Sequence, residues 1–382
     1  MREIYFDNSA TTKQLNSVIR VMVHTAEKFY GNPSSLHSLG YEAEKELRRN
    51  RQIFSDLLNC DEKEIVFTSG GSESNNLALI GYARANPRKG NHILVTETEH
   101  PSVLECAKYL SDNGYNVEYI PVDRKGVPDL EWIRDKVKEK TVLVSVHHVN
   151  SETGSILPIK EICKIVKGKN GNTVFHADCV QSFGKLKIDT KDLSCDMLSI
   201  SAHKIGGPRG IGALYVKKGI RVEPVIFGGG QEGGLRSGTE NLPGIAGFAE
   251  AASIAYENLE EWFEKVREIR DYIAKELGKE NKVHVISNLE SSLPYILNVS
   301  FEGIKGEVLL HSLEAKGIYV STGSACSTRK NKRSHVLTAM QIPNNIIDGA
   351  IRISFSAQNT LDEAKEAVEI IKEEVSMLKR TR

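Results

Sequence analysis

The sequence has little net charge, no closely spaced cysteine pair and no long apolar run. Lys and Arg together number 50 and Asp and Glu together number 50 in 382 residues, so the formal net charge is zero. A balanced surface has no overall field that would attract nucleic acid or anionic lipid, and an anionic ligand must be held by a local site. We therefore expect no direct nucleic-acid binding. No run approaches the roughly 18 apolar residues of a membrane span, so no membrane association is expected either.

The first residues lack the basic-then-apolar pattern of a secretory signal, and a cytoplasmic location is therefore expected. The six cysteines contain no CxxC pair, which argues against a zinc ribbon or a disulfide framework, and we expect no resident metal. Five cysteines have apolar or periodic surroundings that predict small buried side chains: Cys60, Cys106, Cys163, Cys179 and Cys195. Cys326 differs from them because it lies among Gly, Ser, Thr and basic residues.

Short β-branched stretches alternate with segments of helical period in the first two thirds of the chain. The stretches lie at residues 65–67, 93–95, 117–120, 142–146, 174–176, 197–200 and 213–216. This alternation predicts an α/β fold with a mainly parallel sheet and helices on both of its faces. Ligands of such sheets bind beyond the carboxyl ends of the strands, so functional residues should directly follow strands.

A different pattern begins after residue 244, where a long helical period runs to about residue 277. Beyond it we predict strands at 295–299, 318–320 and 350–355, a helix at 306–315, and a last helix that opens with the capping box Thr360-Leu361-Asp362-Glu363. The sequence therefore predicts a large domain of residues 15–255 and a smaller α+β domain of residues 1–14 and 256–382.

The first strand-end motif is Thr68-Ser69-Gly70-Gly71-Ser72-Glu73-Ser74. Paired glycines before a helix let backbone N–H groups approach a phosphate, although such a segment can also be a simple turn. In the second motif, His176-Ala177-Asp178-Cys179-Val180-Gln181, the acid ends an apolar strand. Asp178 could pair with a protonated ring nitrogen, or it could be a helix N-cap.

The third motif, Ser201-Ala202-His203-Lys204, is followed by a Gly-Gly-Pro turn. Lys204 could form an imine with an aldehyde cofactor, with Ser201 and His203 binding its phosphate, or it could be a solvated surface lysine. A phosphate-type turn, an acid and a lysine on successive strand ends of one sheet favour the first interpretation.

Motifs along the whole chain resemble those of one family. They are Tyr5-Phe6-Asp7-Asn8-Ser9-Ala10-Thr11-Thr12, Gly31-Asn32-Pro33-Ser34-Ser35, Glu97-Thr98-Glu99-His100, Ser201-Ala202-His203-Lys204, Arg236-Ser237-Gly238-Thr239 and Ser324-Ala325-Cys326. The chain resembles the fold-type I pyridoxal-phosphate enzymes of the class V aminotransferase family, specifically the cysteine desulfurases of nitrogenase and iron-sulfur cluster assembly. The resemblance implies a sulfurtransferase that converts L-cysteine to L-alanine and passes sulfur through a persulfide on Cys326 to an acceptor for iron-sulfur cluster, thiocofactor or tRNA assembly.

The resemblance also implies a role for each matching residue. Lys204 would hold pyridoxal 5'-phosphate and move protons at the substrate Cα. Asp178 would pair with the pyridine nitrogen and Gln181 with the phenolic oxygen, while His100 would stack on the ring and act as an acid or base. The residues implied for phosphate binding are Gly71, Ser72, Ser201 and His203.

Three further residues complete the implied site. Thr239 would reach the phosphate of a neighbouring subunit, which implies a homodimer. Arg352 would bind the substrate carboxylate through its two-pronged guanidinium, unless it is an edge-strand surface arginine. Cys326, on a loop of about residues 321–334, would be the nucleophile, since the neighbouring cations favour its thiolate. It could also transiently ligate an iron-sulfur cluster.

The chain departs from the family pattern at several positions. Ser72 replaces the usual Thr, and Ser151 in Asn150-Ser151-Glu152-Thr153-Gly154 replaces an Asn, so Ser151 would contact the cofactor with a shorter reach. A basic run at 329–333 replaces a segment with few charges. The alternatives are a selenocysteine lyase, another fold-type I aminotransferase, and a non-enzymatic cluster scaffold, for which one thiol supplies too few ligands.

Overall fold

The computed structural model describes residues 3–323 and 333–380. Its strands are β1 (Ile4–Tyr5), β2 (Ile65–Thr68), β3 (His92–Thr96), β4 (Asn116–Ile120), β5 (Thr141–His147), β6 (Val174–Asp178), β7 (Met197–Ser201), β8 (Gly212–Val216), β9 (Val283–Val285), β10 (Ile296–Phe301), β11 (Ile318–Tyr319) and β12 (Ala350–Ser354).

Its helices are α1 (Asn16–Lys28), α2 (Ser38–Leu58), α3 (Gly71–Asn76), α4 (Tyr82–Ala85), α5 (Pro101–Asp112), α6 (Leu130–Lys136), α7 (Ile159–Lys169), α8 (Thr190–Leu193), α9 (Leu242–Glu257), α10 (Leu259–Leu277), α11 (Gly306–Glu314), α12 (His335–Ala339), α13 (Asn344–Ile347) and α14 (Leu361–Arg380). A π-helical turn, Leu77–Gly81, joins α3 to α4. None of the helices in the described ranges is long and apolar enough to cross a membrane.

The central sheet has the strand order β2-β8-β7-β6-β5-β3-β4. The pairs among β3 to β7 are parallel, and β8 runs antiparallel to both of its neighbours, β2 and β7. Every residue of β3, β5, β6 and β7 is buried, as expected when both faces of a parallel sheet are covered. The predicted α/β fold with a mainly parallel sheet is confirmed, and each of the strands predicted before residue 217 lies in this sheet.

The later part of the chain forms a smaller antiparallel sheet, β12-β10-β9, beside the parallel pair β1-β11. The long helical period after residue 244 is divided between α9 and α10, because the chain leaves the helical conformation at Asn258 (φ −110°, ψ 15°). The capping box of α14 forms as predicted: Glu363 N donates to Thr360 Oγ1 at 3.2 Å, and Thr360 N donates to Glu363 Oε2 at 3.0 Å.

Two large hydrophobic clusters hold these layers together. The first packs the central sheet against its helices, with the rings of Phe54 and Phe248 4.6 Å apart. The second joins Ile4 and Phe6 to residues between Val266 and Val375. The proposed domain limits at residues 14/15 and 255/256 stay a prediction. Among the five cysteines predicted to be buried, Cys60 is only half-buried and the other four are buried.

Candidate active site

A cavity of about 280 Å³ lies at the carboxyl edge of the central sheet. Thr68 and Ser201, which end β2 and β7, both pair with Gly212 of β8, so the two strands end at the same edge on either side of β8. The predicted site residues that line the cavity are Gly71, Ser72, His100, Ser151, Asp178, Gln181, Ser201, His203 and Lys204. The rule that ligands bind beyond the strand ends therefore led to the right place in the fold.

One end of the cavity has the character of an anion site. A Cβ added to Gly71 would lie 2.6 Å from Val180 Cγ2, so this position favours glycine, and Gly71 lines the cavity. The Ser201 hydroxyl is buried and has no hydrogen-bond partner among the described residues. Burial, with Lys204 and Arg209 adding to it, lowers the pKa of His203 to about 3, so its imidazole is neutral. These groups can donate hydrogen bonds to phosphate oxygens.

Asp178 presents its carboxylate from the end of β6. Asn75 Nδ2 donates to Oδ2 at 2.8 Å and Val180 N donates to Oδ1 at 3.0 Å. A turn rather than a helix follows this residue, so Asp178 does not cap a helix. Each carboxylate oxygen has two acceptor sites, which leaves capacity for a donor inside the cavity such as a protonated ring nitrogen.

Lys204 ends a single 3₁₀ turn, Ala202–Lys204, that directly follows β7. Its Nζ donates to the carbonyl oxygens of Ser9 at 2.6 Å and Ala10 at 2.7 Å. Gln181 Nε2 donates to the same Ser9 oxygen at 3.0 Å. The amine is therefore held in the cavity beside the Gln181 amide and is not a solvated surface lysine.

His100 precedes α5 and lines the cavity. Its Nδ1 accepts from Ser102 N at 3.1 Å and lies 2.8 Å from Ser102 Oγ, which fixes the plane of the ring. Burial lowers the pKa of His100 and Lys204 lowers it further, while Asp178 opposes the shift. The imidazole can therefore be neutral near pH 7, the form suited to stacking on an aromatic ring and to accepting a proton.

Arg352 is buried on β12 and does not line the cavity itself. Its Nη2 donates to Asp7 Oδ1 at 2.9 Å and its Nη1 to the carbonyl oxygen of Ser151 at 3.0 Å. Its Nε is buried without a hydrogen-bond partner in the described part of the chain. The guanidinium thus lies directly behind the cavity wall and is not a surface group.

One predicted residue of the described chain, Thr239, is not among the residues that line this cavity. Its side chain is exposed. Cys326 lies outside the residues that the structure describes, as does most of the predicted loop of residues 321–334.

Sequence reasoning missed a buried pair in the same wall, His147 and Glu99. Neither ring nitrogen of His147 has a hydrogen-bond partner among the described residues, and the ring lines the cavity. Glu99 is fully buried, its Oε1 accepts from His147 N at 2.5 Å, and the same oxygen lies 3.4 Å from His147 Nδ1. Burial raises the pKa of Glu99, and His147 opposes the shift. His147 ends β5, so the strand-end rule applied to that strand would have found it.

The carboxyl of Glu152, close to this wall, should make stability depend on pH. Burial raises its pKa to about 7, although the Ser334 hydroxyl, which donates to Oε2 at 2.5 Å, opposes the shift. The folded protein therefore keeps a proton that the unfolded chain releases above about pH 4.5. The stability that the protonated Glu152 carboxyl contributes is fully present below about pH 4.5 and is lost as the pH rises through 7. Over this range the free energy of unfolding should therefore fall by up to about 3 kcal/mol.

Urea unfolding of the cofactor-free protein, followed by circular dichroism from pH 5 to pH 8, measures this slope. Glu152→Gln should flatten it, because the amide does not titrate. Glu290→Gln, at an exposed position, should leave it unchanged. An equal slope in the Glu152 variant and the wild type would show that other groups cause it.

A mainly parallel sheet whose carboxyl edge carries an anion site, an acid and a lysine amine defines a pyridoxal-phosphate enzyme of fold-type I. Residues 4–366 match the Aminotransferase class-V family, and the chain belongs to this family, whose members depend on pyridoxal phosphate. The expected fold type and cofactor are thus confirmed. Gly71 in the cavity lining, the unpartnered Ser201 hydroxyl and the Asp178 carboxylate fit this cofactor.

Individual relatives agree with the family match over nearly the full chain. The chain is 43% identical to cysteine desulfurase IscS 1 of Archaeoglobus fulgidus, over 96% of this chain and 95% of that protein. A solved NifS-like protein is 41% identical, with a TM-score of 0.94 over 99% of this chain and 100% of that one. SspA, solved in complex with cysteine, is 33% identical, with a TM-score of 0.82 over 93% of this chain and 99% of that one.

Proposed function

We propose that the protein is a cysteine desulfurase, which removes sulfur from L-cysteine, leaves L-alanine and carries the sulfur as a persulfide on Cys326. The observation that carries this proposal is the convergence of Lys204, Asp178 and Ser201 on one cavity in a chain 43% identical to a named cysteine desulfurase. A thiol-bearing protein or an iron-sulfur scaffold would accept the sulfur, and we place the reaction in the cytoplasm.

The residues around the cavity have separate roles in cleavage of the carbon–sulfur bond. Bound pyridoxal phosphate supplies an electron-poor ring that accepts the charge left when the substrate Cα loses its proton. Lys204 would hold the cofactor through its amine and move the proton at Cα, while Asp178 would keep the pyridine nitrogen protonated. Gln181, beside Lys204, would donate to the phenolic oxygen, and His100 would act as an acid or base at the ring.

Sulfur transfer needs no oxidant. The Cys326 thiolate attacks the substrate sulfur, an S–S bond forms as the Cβ–S bond breaks, and the electron pair of the broken bond stays with the carbon fragment. Protonation of that fragment at Cβ and Cα gives alanine. Cysteine and the Cys326 thiol have then become alanine and the persulfide, so atoms and electrons balance.

Arg352 supplies the cation for the substrate carboxylate. Its guanidinium lies behind Ser151, and its unpartnered Nε has a donor to offer. An arginine held by an aspartate and a carbonyl is already oriented, so little side-chain freedom is lost when a carboxylate binds. In this proposal Ser151 contacts the cofactor from the wall between them.

The active unit in this proposal is a homodimer. Thr239 lies outside its own chain's cavity, where it is free to reach the phosphate of a second subunit. Large apolar side chains are also exposed, as expected where a second subunit covers the surface. Those on α1, α2 and nearby loops are Ile19, Val23, Tyr30, Leu36, Leu39, Tyr41, Ile226 and Phe227.

The direct test is incubation of the purified protein with L-cysteine, with and without a reductant. We expect equal amounts of alanine and sulfide with reductant, and persulfide without it. An aminotransferase would give a keto acid instead of alanine, and a selenocysteine lyase would release selenium from selenocysteine while leaving cysteine intact. Either result would contradict the proposal.

Replacing Asp178 with asparagine should slow the reaction, while the protein should still bind pyridoxal phosphate. An amide in Asp178→Asn cannot hold the pyridine proton, so the exchange of the substrate Cα proton should slow by about a hundredfold or more. The measurement is deuterium incorporation at Cα during turnover, alongside the absorbance of bound cofactor. Asp192→Asn, at an exposed surface position, is the control. Unchanged exchange in the Asp178 variant would mean that this carboxylate has only a structural part.

A further inference from the structure

Lys185 is a buried cation that has no anionic partner among the residues that the structure describes. Its side chain is almost fully buried, with the residue 4% exposed, and the charged groups that act on it, Lys204 and Arg352, are both positive. Burying an unpaired ammonium is unfavourable, and an unbranched apolar residue such as methionine would avoid that penalty. A lysine in this place therefore calls for a functional reason.

The contacts of Lys185 lead toward the active site. Its Nζ lies 3.4 Å from Gln181 Oε1 and 5.4 Å from the centre of the Tyr295 ring. The turn before Lys185 requires glycine at position 184. Gly184 has φ +68°, and a Cβ added there would lie 2.9 Å from Ile205 Cγ2. A second cavity of about 100 Å³ is lined by both Lys185 and Lys204, so the two side chains border one space.

The Lys185 contact determines which way the Gln181 amide points. The protonated form of Lys185 only donates hydrogen bonds, so in that form it faces the amide oxygen of Gln181 and not the amide nitrogen. The Gln181 nitrogen is then turned to the other side, where it donates to the same Ser9 oxygen that Lys204 Nζ uses. Gln181 thus presents a donor, rather than an acceptor, beside the reactive amine.

We propose that Lys185 is a positioning residue that holds the Gln181 amide with its NH₂ toward the phenolic oxygen of bound pyridoxal phosphate. The inference rests on the proposed function of Gln181 as a cofactor ligand. Without Lys185 the amide can rotate, and an amide oxygen facing a phenolate repels it. Burial lowers the pKa of Lys185 to about 7, and the positive charges of Lys204 and Arg352 add to this shift. The lowered pKa agrees with an amine whose charged form is poorly solvated in this position.

The test compares Lys185→Met with the wild type, because methionine is also unbranched, is only one atom shorter, and removes the charge and the donor. We expect the cofactor-free variant to melt several degrees higher, since a buried unpaired charge is gone. Its affinity for pyridoxal phosphate, measured by absorbance titration, should fall about tenfold. Lys187→Met, two residues further at an exposed position, should change neither quantity. A residue that only fills space would instead lower both stability and affinity when replaced.

A double-mutant cycle tests whether the effect passes through Gln181. Gln181→Met should weaken cofactor binding by itself, and adding Lys185→Met to it should weaken binding no further. The absorbance of the bound cofactor should titrate at a shifted pH in both single variants, which a packing defect would not produce. Additive losses in the double variant, or wild-type affinity in Lys185→Met, would overturn this inference alone. A wild type that binds no pyridoxal phosphate would overturn the proposed function together with it.

Discussion

Lys204→Ala should abolish alanine formation from L-cysteine, lowering its rate at least about a thousandfold, and should end covalent attachment of the cofactor. The amine of Lys204 is held by the carbonyl oxygens of Ser9 and Ala10 in the cavity. Lys185 lies nearby, but it is not among the residues that line the main cavity and its Nζ lies 3.4 Å from Gln181 Oε1, so it is not placed to substitute.

Borohydride reduction followed by peptide mass spectrometry measures the attachment directly. Reduction should fix the cofactor on the Lys204 peptide of the wild type and on no peptide of the variant. Circular dichroism should show that the variant remains folded. The substitution removes only hydrogen bonds at the wall of an open cavity and leaves the packed core unchanged. Lys187→Ala is the matched control. Normal turnover in Lys204→Ala, or cofactor fixed on a different lysine, would refute the assignment of Lys204.

The strands of the central sheet could be predicted because each is a short apolar, β-branched run between segments of helical period. The same runs located Asp178 and Lys204, since residues directly after parallel strands share one edge. Strands β1 and β9 are too short, at two and three residues, to give a period of their own. The break between α9 and α10 at Asn258 carries no proline or glycine, so the apolar period continues through it.

Sequence patterns could not predict which side chains contact one another across the fold. Glu99 and His147 lie on separate segments and meet only because β3 and β5 pair. In the segment Gly184-Lys185-Leu186-Lys187 two similar lysines alternate, yet one is buried behind the active site and the other is exposed. Arg352 could be an edge-strand surface group by its pattern alone, and its burial follows from Asp7 and Ser151 packing over it.

Cys326→Ala should separate cofactor chemistry from sulfur transfer. The groups proposed to bind the cofactor and loosen the Cα proton are Lys204, Asp178, Gln181 and His100, which line the cavity and keep their identity in this variant, so cofactor binding and Cα proton exchange should persist. Alanine formation should fall at least about a hundredfold, because no thiolate is left to take the sulfur. Brief exposure of the wild type to L-cysteine without reductant, followed by peptide mass spectrometry, should place one extra sulfur atom on the Cys326 peptide.

The other cysteines are poor substitutes because they are thiols and not thiolates at neutral pH. Burial raises the pKa of Cys60 and Cys106 to about 12 and that of Cys163 to about 11, and it also raises the pKa of Cys179 and Cys195. The half-buried Cys60 provides the control, and Cys60→Ala should keep full activity. Sulfur found on any of these five cysteines, or full alanine formation by the Cys326 variant, would contradict the proposed transfer to Cys326.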